Sequence, residues 1–426
     1  MTGTTSDFQH VAVIGAGIVG LATAWRLQRE GHTVTVIDGA HSGAGASAAN
    51  GAQLSYAYVQ PLADPAIWRQ LPKLLLAEDS PLKLRLRLDP QQWAWGLRFL
   101  AACRASVSRA STAWLLQLAA ESRAAFDTLL REIPMDCDFS TTGKLVLYPD
   151  AASLDSARRQ VALQQSLGAQ QSVLSAAECV DLEPALAHSV QRFAGAVHTP
   201  GECAADCLKV CQALEQALRS RGVAFRLGDA ATGWRLKGGQ VESVQTLGGP
   251  VQADAFVVAL GTGSVALARQ LGRGLPVYPL KGYSITLDIG ADDGARVPRV
   301  NVTDAGRKLV FARIGSRLRV AGMAELVGHD RSIDPRRIRA LVDATRDTFP
   351  MRNAMADVQP WAGLRPATPT GRPILGRLPG APDNVLFNTG HGALGFTLAF
   401  GSAERVVAAL RDGVRPSAEG LAACSA

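Results

Sequence analysis

The residues with the most definite chemistry stand close to the N-terminus, in VAVIGAGIVGLATAWRLQREGHTVTVID, residues 11–38. Gly15, Gly17 and Gly20 have the G-x-G-x-x-G spacing. The first glycine permits a tight turn, the second lets a pyrophosphate approach the backbone, and the third lets a helix pack on the preceding strand. Ala16, Ile18 and Val19 fill the turn and are expected to contact the cofactor with it. Residues 11–14 form the apolar run of a strand covered on both faces. Leu21, Ala24, Trp25 and Leu27 recur at helical spacing, so the phosphates would meet that helix's N-terminus. Gly31 ends the helix and residues 33–37 form a second strand. Asp38 falls where a carboxylate accepts a hydrogen bond from a ribose 2′-OH, which argues against a 2′-phosphate. The unit predicts a dinucleotide, either a nicotinamide or a flavin.

The remaining elements discriminate between them. GAHSGAGASAANGAQLS (39–55) is too rich in Gly, Ala and Ser to build a core and reads as a loop whose backbone approaches a ligand closely. Residues 60–135 read as helices broken at Pro61, Pro72, Pro81 and Pro90, residues 141–149 as a strand, and residues 151–190 as helical again. A helix over 204–219 precedes the strand VAFRL, and DAFVVALGTGS (254–264) is a buried strand ending in a glycine turn. Strands follow over 276–322, a basic helix over 335–348, a strand over 384–390, and a glycine loop entering a helix over 391–410. Nucleotide-domain pieces thus stand at both ends and in the middle. A nicotinamide dehydrogenase usually completes its cofactor domain in one block, so this order favours a flavin.

Composition narrows the setting. The chain has 426 residues, enough for two domains, with 19% charged and 47% hydrophobic residues. Its net charge of +7 comes from scattered basic residues without a nucleic-acid-reading motif, so no nucleic-acid partner is expected. No run of 18 apolar residues appears and the first ten residues are polar, so a cytoplasmic location is expected. The seven cysteines read as reduced thiols. Cys203, Cys207 and Cys211, spaced by four, read as one buried helical face rather than a metal site. Residues 67–104 interleave seven Lys/Arg with Trp68, Trp93 and Trp95. That stretch is either a packed helical excursion or a peripheral membrane surface.

Six motifs in order carry a resemblance: GAGIVG with Asp38, SAANGAQLS (47–55), VVALGTGS (257–264), VYPLKGYSITL (277–287), WAGLRPATPTGRPILG (361–376) and NTGHGALGFTLAFGS (388–402). Over residues 10–410 the chain resembles the FAD-dependent amino-acid oxidoreductases of the D-amino-acid oxidase superfamily, most closely the bacterial D-amino-acid dehydrogenase small subunits. The resemblance implies an α/β fold (α+β overall). A discontinuous Rossmann-type FAD domain would take residues 1–56, 201–270 and 358–426, and a mixed-sheet and helical substrate domain 57–200 and 271–357. Ser47, Asn50, Gly51, Gln53 and Leu54 would lie along the pyrophosphate and isoalloxazine, with Gly261 and Gly363 near the cofactor. Gly392, Ala393, Leu394 and Gly395 would sit at the ring's pyrimidine edge. FAD is expected without a covalent link, because no cysteine lies in 357–402 or beside the glycine loops.

For chemistry the resemblance nominates Arg365; Tyr283 and His391 are the other candidates, and the stretch QLSYAYVQP (53–61) is expected to supply Tyr56 and Tyr58 to the substrate pocket. Arginine's planar fork suits a substrate carboxylate. Each has a plainer reading: Asn50 as a turn cap, Gly392 and Gly395 as a bend, Tyr278 and Tyr283 as core tyrosines, His391 as a hydrogen-bonded structural histidine. The implied reaction is oxidative deamination of a D-amino acid, with electrons passed to a quinone or other carrier. It would occur in the cytoplasm or at the inner face of the membrane, which residues 67–104 would touch. An oxidase or dehydrogenase of glycine, sarcosine or D-hydroxyproline, and a non-catalytic flavin subunit, are the alternatives.

Overall fold

The computed structural model describes residues 10–65, 67–68, 82–85, 87–165, 170–351 and 357–411. Of the stretch 67–104, residues 69–81 and 86 lie outside it, as do residues 1–9 and 412–426 of the expected nucleotide domain. Two large sheets organise the molecule. The first has six strands: β1 (His10–Ile14), β2 (Thr33–Asp38), β9 (Ala224–Leu227), β13 (Ala255–Val258), β19 (Ile374–Arg377) and β20 (Val385–Thr389), in the order β19-β20-β13-β1-β2-β9. Every neighbour pair in it is parallel except β19–β20. Three separate parts of the chain therefore build one sheet, as the placement of the apolar runs predicts. Helix α1 (Ile18–Arg29) covers it together with α6 (Cys207–Ser220) and α9 (Gly395–Arg411).

The second sheet has nine strands: β4 (Leu82–Leu84), β5 (Lys144–Tyr148), β6 (Ser172–Ser175), β7 (Gly195–Thr199), β14 (Tyr278–Asp288), β15 (Asn301–Asp304), β16 (Leu309–Ile314), β17 (Arg317–Leu326) and β18 (Gln359–Ala367). Its main path runs β18-β14-β17-β16-β15-β5-β7-β6, with β4 beside β17. Around it lie α2 (Pro90–Ala102), α4 (Ala151–Gln165), α5 (Ala176–Leu182) and α8 (Pro335–Thr348), whereas α3 (Ala105–Glu132) packs against α9 on the first sheet's side. A two-stranded ribbon, β3 (Gln53–Leu54) with β8 (Cys203–Ala204), joins the halves. A three-stranded sheet of β10 (Ala231–Lys237), β11 (Gln240–Thr246) and β12 (Val251–Gln252) precedes α7 (Ser264–Gln270).

Several elements differ from expectation. β18 pairs along β14 from Gln359 to Ala367, so the chain returns to the first sheet only after Ala367, not at residue 358. Helix α3, counted with the substrate domain, packs Leu115, Leu118 and Phe126 into the core that holds Trp25, Phe396 and Phe400. Strands β4 and β6 fall inside segments read as helical, because edge strands of three or four residues are too short to show a period of two. Cys203 lies on β8, and the following helix starts at Cys207 behind the Asp206 cap. The six described cysteines are free and buried, in agreement with packing. One described helical run, Gly392–Arg411, is apolar and long enough to span a membrane by composition, yet it is mostly buried against the first sheet.

Candidate functional site: a cleft between the two sheets

The glycine turn forms because its backbone leaves no room for side chains. Gly15 has φ +120°, a conformation that favours glycine, and a Cβ on Gly20 would overlap the Gly15 carbonyl. Helix α1 begins after Gly17 without a side-chain cap. Of its first amides, Ile18 N donates to Ser47 Oγ at 3.1 Å. The orphan donors of this first turn face a cleft of about 1030 Å³ that Gly17, Ile18 and Val19 line. Asp38 reaches the same cleft, its carboxylate accepting from Ala16 N at 2.7 Å and Ala40 N at 2.9 Å. Gly15, Ala16 and Gly20 support the turn from behind rather than lining the cleft.

The loop after β2 forms the cleft's floor. Ser284 Oγ donates to Ala49 O at 2.6 Å and the buried Arg319 donates to Asn50 O at 2.9 Å, so strands β14 and β17 hold two successive carbonyls. Asn50 Oδ1 accepts from Ala52 N at 3.0 Å and closes the turn through Ala52 at φ +58°. Asn50 is thus a turn cap that also lines the cleft, beside Ser47, Gly51 and Gln53. Alternation along β3 sends Gln53 to the cleft and Leu54 into the core. Tyr56 follows Leu54 inward, buried with Arg123 5.6 Å over its ring. The structure therefore places neither Leu54 nor Tyr56 at the cleft, whereas Tyr58 lines it.

Strands β14, β17 and β18 form the opposite wall. Arg365, on β18, donates to Met323 O at 2.8 Å and weakly to Gly322 O at 3.5 Å. No carboxylate pairs with it among the described residues, and burial draws its pKa down to about 10. Gly282 makes room for this guanidinium, since a Cβ there would overlap it, and Gly363 does the same for the Trp361 indole. Tyr283 lines the wall, but its hydroxyl donates to Glu325 Oε2 at 3.1 Å, and Glu325 in turn takes Arg337 Nε at 2.7 Å. Burial, then the Glu325 charge, pushes the Tyr283 phenol well up. His391 reaches the cleft beside Gly261, Gly392, Ala393, Leu394 and Gly395. Its Nε2 pairs with Ser402 Oγ at 2.9 Å, and burial lowers its pKa to about 3, which keeps the ring neutral.

The cleft also takes in Trp95, from the Trp-rich stretch 67–104, and Trp361, which opens the motif at 361–376. Met323, Phe99 and Lys144 line it too and were not singled out by the sequence reading; of these Lys144 carried a signal, a lone charge opening the apolar strand KLVLY.

The family model described as FAD dependent oxidoreductase matches residues 10–409. The chain belongs to this family. It is 48% identical to the D-amino acid dehydrogenase 2 of Ralstonia nicotianae, over 92% of this chain and 94% of that one. It is 46% identical to the D-amino acid dehydrogenase 2 of Pseudomonas aeruginosa, over 92% and 93%. Among solved structures, a glycine oxidase from Geobacillus kaustophilus superposes with a TM-score of 0.75 at 20% identity, over 96% and 95% of the two chains, which is a likeness of fold.

The residues of this FAD-dependent oxidoreductase fit its cofactor. The uncapped first turn of α1 offers donors to a pyrophosphate, and the open space above Gly17 meets nothing nearer than Ser47 Oγ at 3.6 Å. Asp38 offers an acceptor to a ribose. The loop at 47–53 and the glycines at 261, 363, 392 and 395 then continue one cleft to the wall that bears Arg365.

Proposed function

We propose that this flavoenzyme oxidises D-amino acids to 2-oxo acids and ammonia. The observation that carries the reading is Arg365, a guanidinium that faces the cofactor cleft and is held by two carbonyls without an anionic partner among the described residues. A buried cation in that state favours a carboxylate ligand, which arginine binds through two parallel hydrogen bonds. FAD, when bound, supplies the two-electron oxidant. Arg365 would hold the substrate by its carboxylate at the wall of this cleft. Trp361, Met323 and Tyr283 limit the water around it.

His391, held neutral and paired with Ser402, is a wall residue rather than a proton acceptor, and Tyr283 has committed its hydroxyl to Glu325. The substrate amine therefore reacts in its neutral form, and the imine product takes up water to give the 2-oxo acid and ammonia. The names of the relatives support the D-configuration. Anaerobic mixing with D- and L-amino acids, glycine, sarcosine and D-hydroxyproline tests the assignment: D-amino acids should bleach the flavin spectrum fastest. Bleaching by L-amino acids or glycine alone, or by none of them, sinks it.

The flavin is held without a covalent bond. The six described cysteines are buried away from the cleft, and Cys424 lies outside the described residues. Acid precipitation should leave the yellow colour in the supernatant; colour in the pellet shows a link.

Electrons leave to a quinone or another non-oxygen carrier, and the segment at 67–104 brings the cleft to the inner face of the membrane. Trp95 is packed inward, with its Nε1 donating to Ala367 O at 2.8 Å. By contrast Trp68, Leu88, Trp93 and Leu97 are exposed, and so is Leu62 at the cleft's rim. Apolar and tryptophan side chains among basic residues favour a lipid interface. Flotation with anionic liposomes should carry the protein at low salt, less so at high salt. Absence from the liposome fraction at low salt sinks the membrane contact.

A further inference from the structure

Lys144 opens the otherwise apolar strand β5, and it is almost fully buried. Its Nζ donates to Ser55 Oγ at 2.8 Å and lies 4.4 Å from the centre of the Tyr58 ring. Ser55, Tyr58 and Lys144 all line the cofactor cleft. Ser55 N in turn donates to Thr397 Oγ1 at 3.3 Å, in the first turn of α9, so Lys144 and the positive end of that helix face the same part of the cleft. Four strands separate β5 from β18 in the sheet, so Lys144 and Arg365 line the cleft from well-separated strands. A carboxylate substrate held by Arg365 leaves Lys144 without a task.

Buried lysines are rare unless paired. Lys144 forms no ion pair among the described residues. The acid nearest in influence, Glu202, has both oxygens occupied by Tyr56 N and Ala57 N at 2.7 Å each. Burial lowers the lysine's pKa to about 8, which still leaves it mostly protonated near neutral pH.

We propose that Lys144 is a fixed positive charge that stabilises the reduced flavin and so raises its reduction potential. Two electrons and one proton convert the neutral oxidised ring into a reduced ring that carries one negative charge. That charge gains from a buried cation and from the α9 N-terminus beside it. The inference needs FAD in this cleft but not an amino-acid substrate, so it stands or falls separately from the substrate assignment.

The test uses the full-length holoenzyme without any amino acid. Midpoint potentials are read against a reference dye during gradual reduction, and sulfite titration reports the affinity for an adduct that places negative charge on the ring. Lys144→Gln keeps a donor for Ser55 and removes the charge, Lys144→Met removes both, and Lys144→Arg keeps the charge. Both neutral variants should disfavour reduction at least tenfold, which is about 30 mV for a two-electron couple, and should weaken sulfite binding by a similar factor. Lys144→Arg should stay within a few-fold of the parent. A parental potential in the neutral variants overturns the proposal. So does an arginine variant that falls as far as they do, or loss of the flavin from both neutral variants, which assigns Lys144 to folding.

Discussion

Arg365→Ala lowers kcat/KM for D-amino acids by roughly 10²-fold or more while the flavin stays bound. A substrate carboxylate at that wall has left water and must find a cation, because an unpaired buried charge is strongly unfavourable. Removing one partner of such a pair costs about 2–5 kcal/mol, and each 1.4 kcal/mol is about a factor of ten. The parent side chain is already oriented: Met323 O and Gly322 O hold the guanidinium, and the missing Cβ at Gly282 leaves it room. Little is therefore lost in ordering it when the substrate arrives. The cofactor's phosphate cradle is in another part of the cleft, at α1, so the variant keeps its FAD. Arg365→Lys rescues only part, having one point donor where arginine has a fork. Steady-state kinetics with flavin content measured on the same samples check this. A flavin-loaded Arg365→Ala protein with the parent's kcat/KM shows that the carboxylate binds elsewhere.

How far these residues could be read in advance depended on how local their causes are. The turn at 15–20, the second strand and Asp38 were legible because the spacing marks them: Gly20 answers to the Gly15 carbonyl five residues before it and Gly17 to the cofactor's space, although the room denied at Gly15 is taken by the distant Ala259 backbone. The return strands 254–258 and 385–389 were legible as apolar runs, and β1 pairs with one of them at the register of Ile14 with Val258. The orientation of side chains on the linking ribbon was not. Leu54 and Tyr56 looked like cleft residues by their neighbours, but the period of a strand turns them to the core and leaves Gln53 facing the cleft. His391 shows the same limit in its chemistry. Its sequence position says that it is close to the ring, while only Ser402, eleven residues on, and full burial say that it is neutral. Tyr283 likewise depends on Glu325 across the sheet. The place of β18 could not be read either, since its pairing with β14 is a tertiary choice between two sheets that both accept an apolar strand.

Gly20→Ala weakens FAD binding and destabilises the apoprotein, whereas Gly17→Ala weakens FAD binding alone. The two glycines are three residues apart and serve different partners. A methyl group on Gly20 would overlap the Gly15 carbonyl, so the obstacle is backbone, with the Ala259 Cβ in ordinary contact at 3.5 Å on the other side. Backbone does not give way cheaply, and α1 must move off β1. Overpacking of this kind costs about 1–3 kcal/mol, and moving the helix also withdraws its first amides from the phosphates, so affinity should fall by roughly 10- to 100-fold. A methyl group on Gly17 meets only Ser47 Oγ at an ordinary 3.6 Å within the chain. Its conflict is with the pyrophosphate that needs that space, so the apoprotein's melting temperature should stay where it was. Titrating each apoprotein with FAD by flavin fluorescence, and melting each without FAD, separates the two effects. A Gly20→Ala protein with parental FAD affinity, or a Gly17→Ala apoprotein as unstable as the Gly20 variant, contradicts the division of labour assigned to the turn.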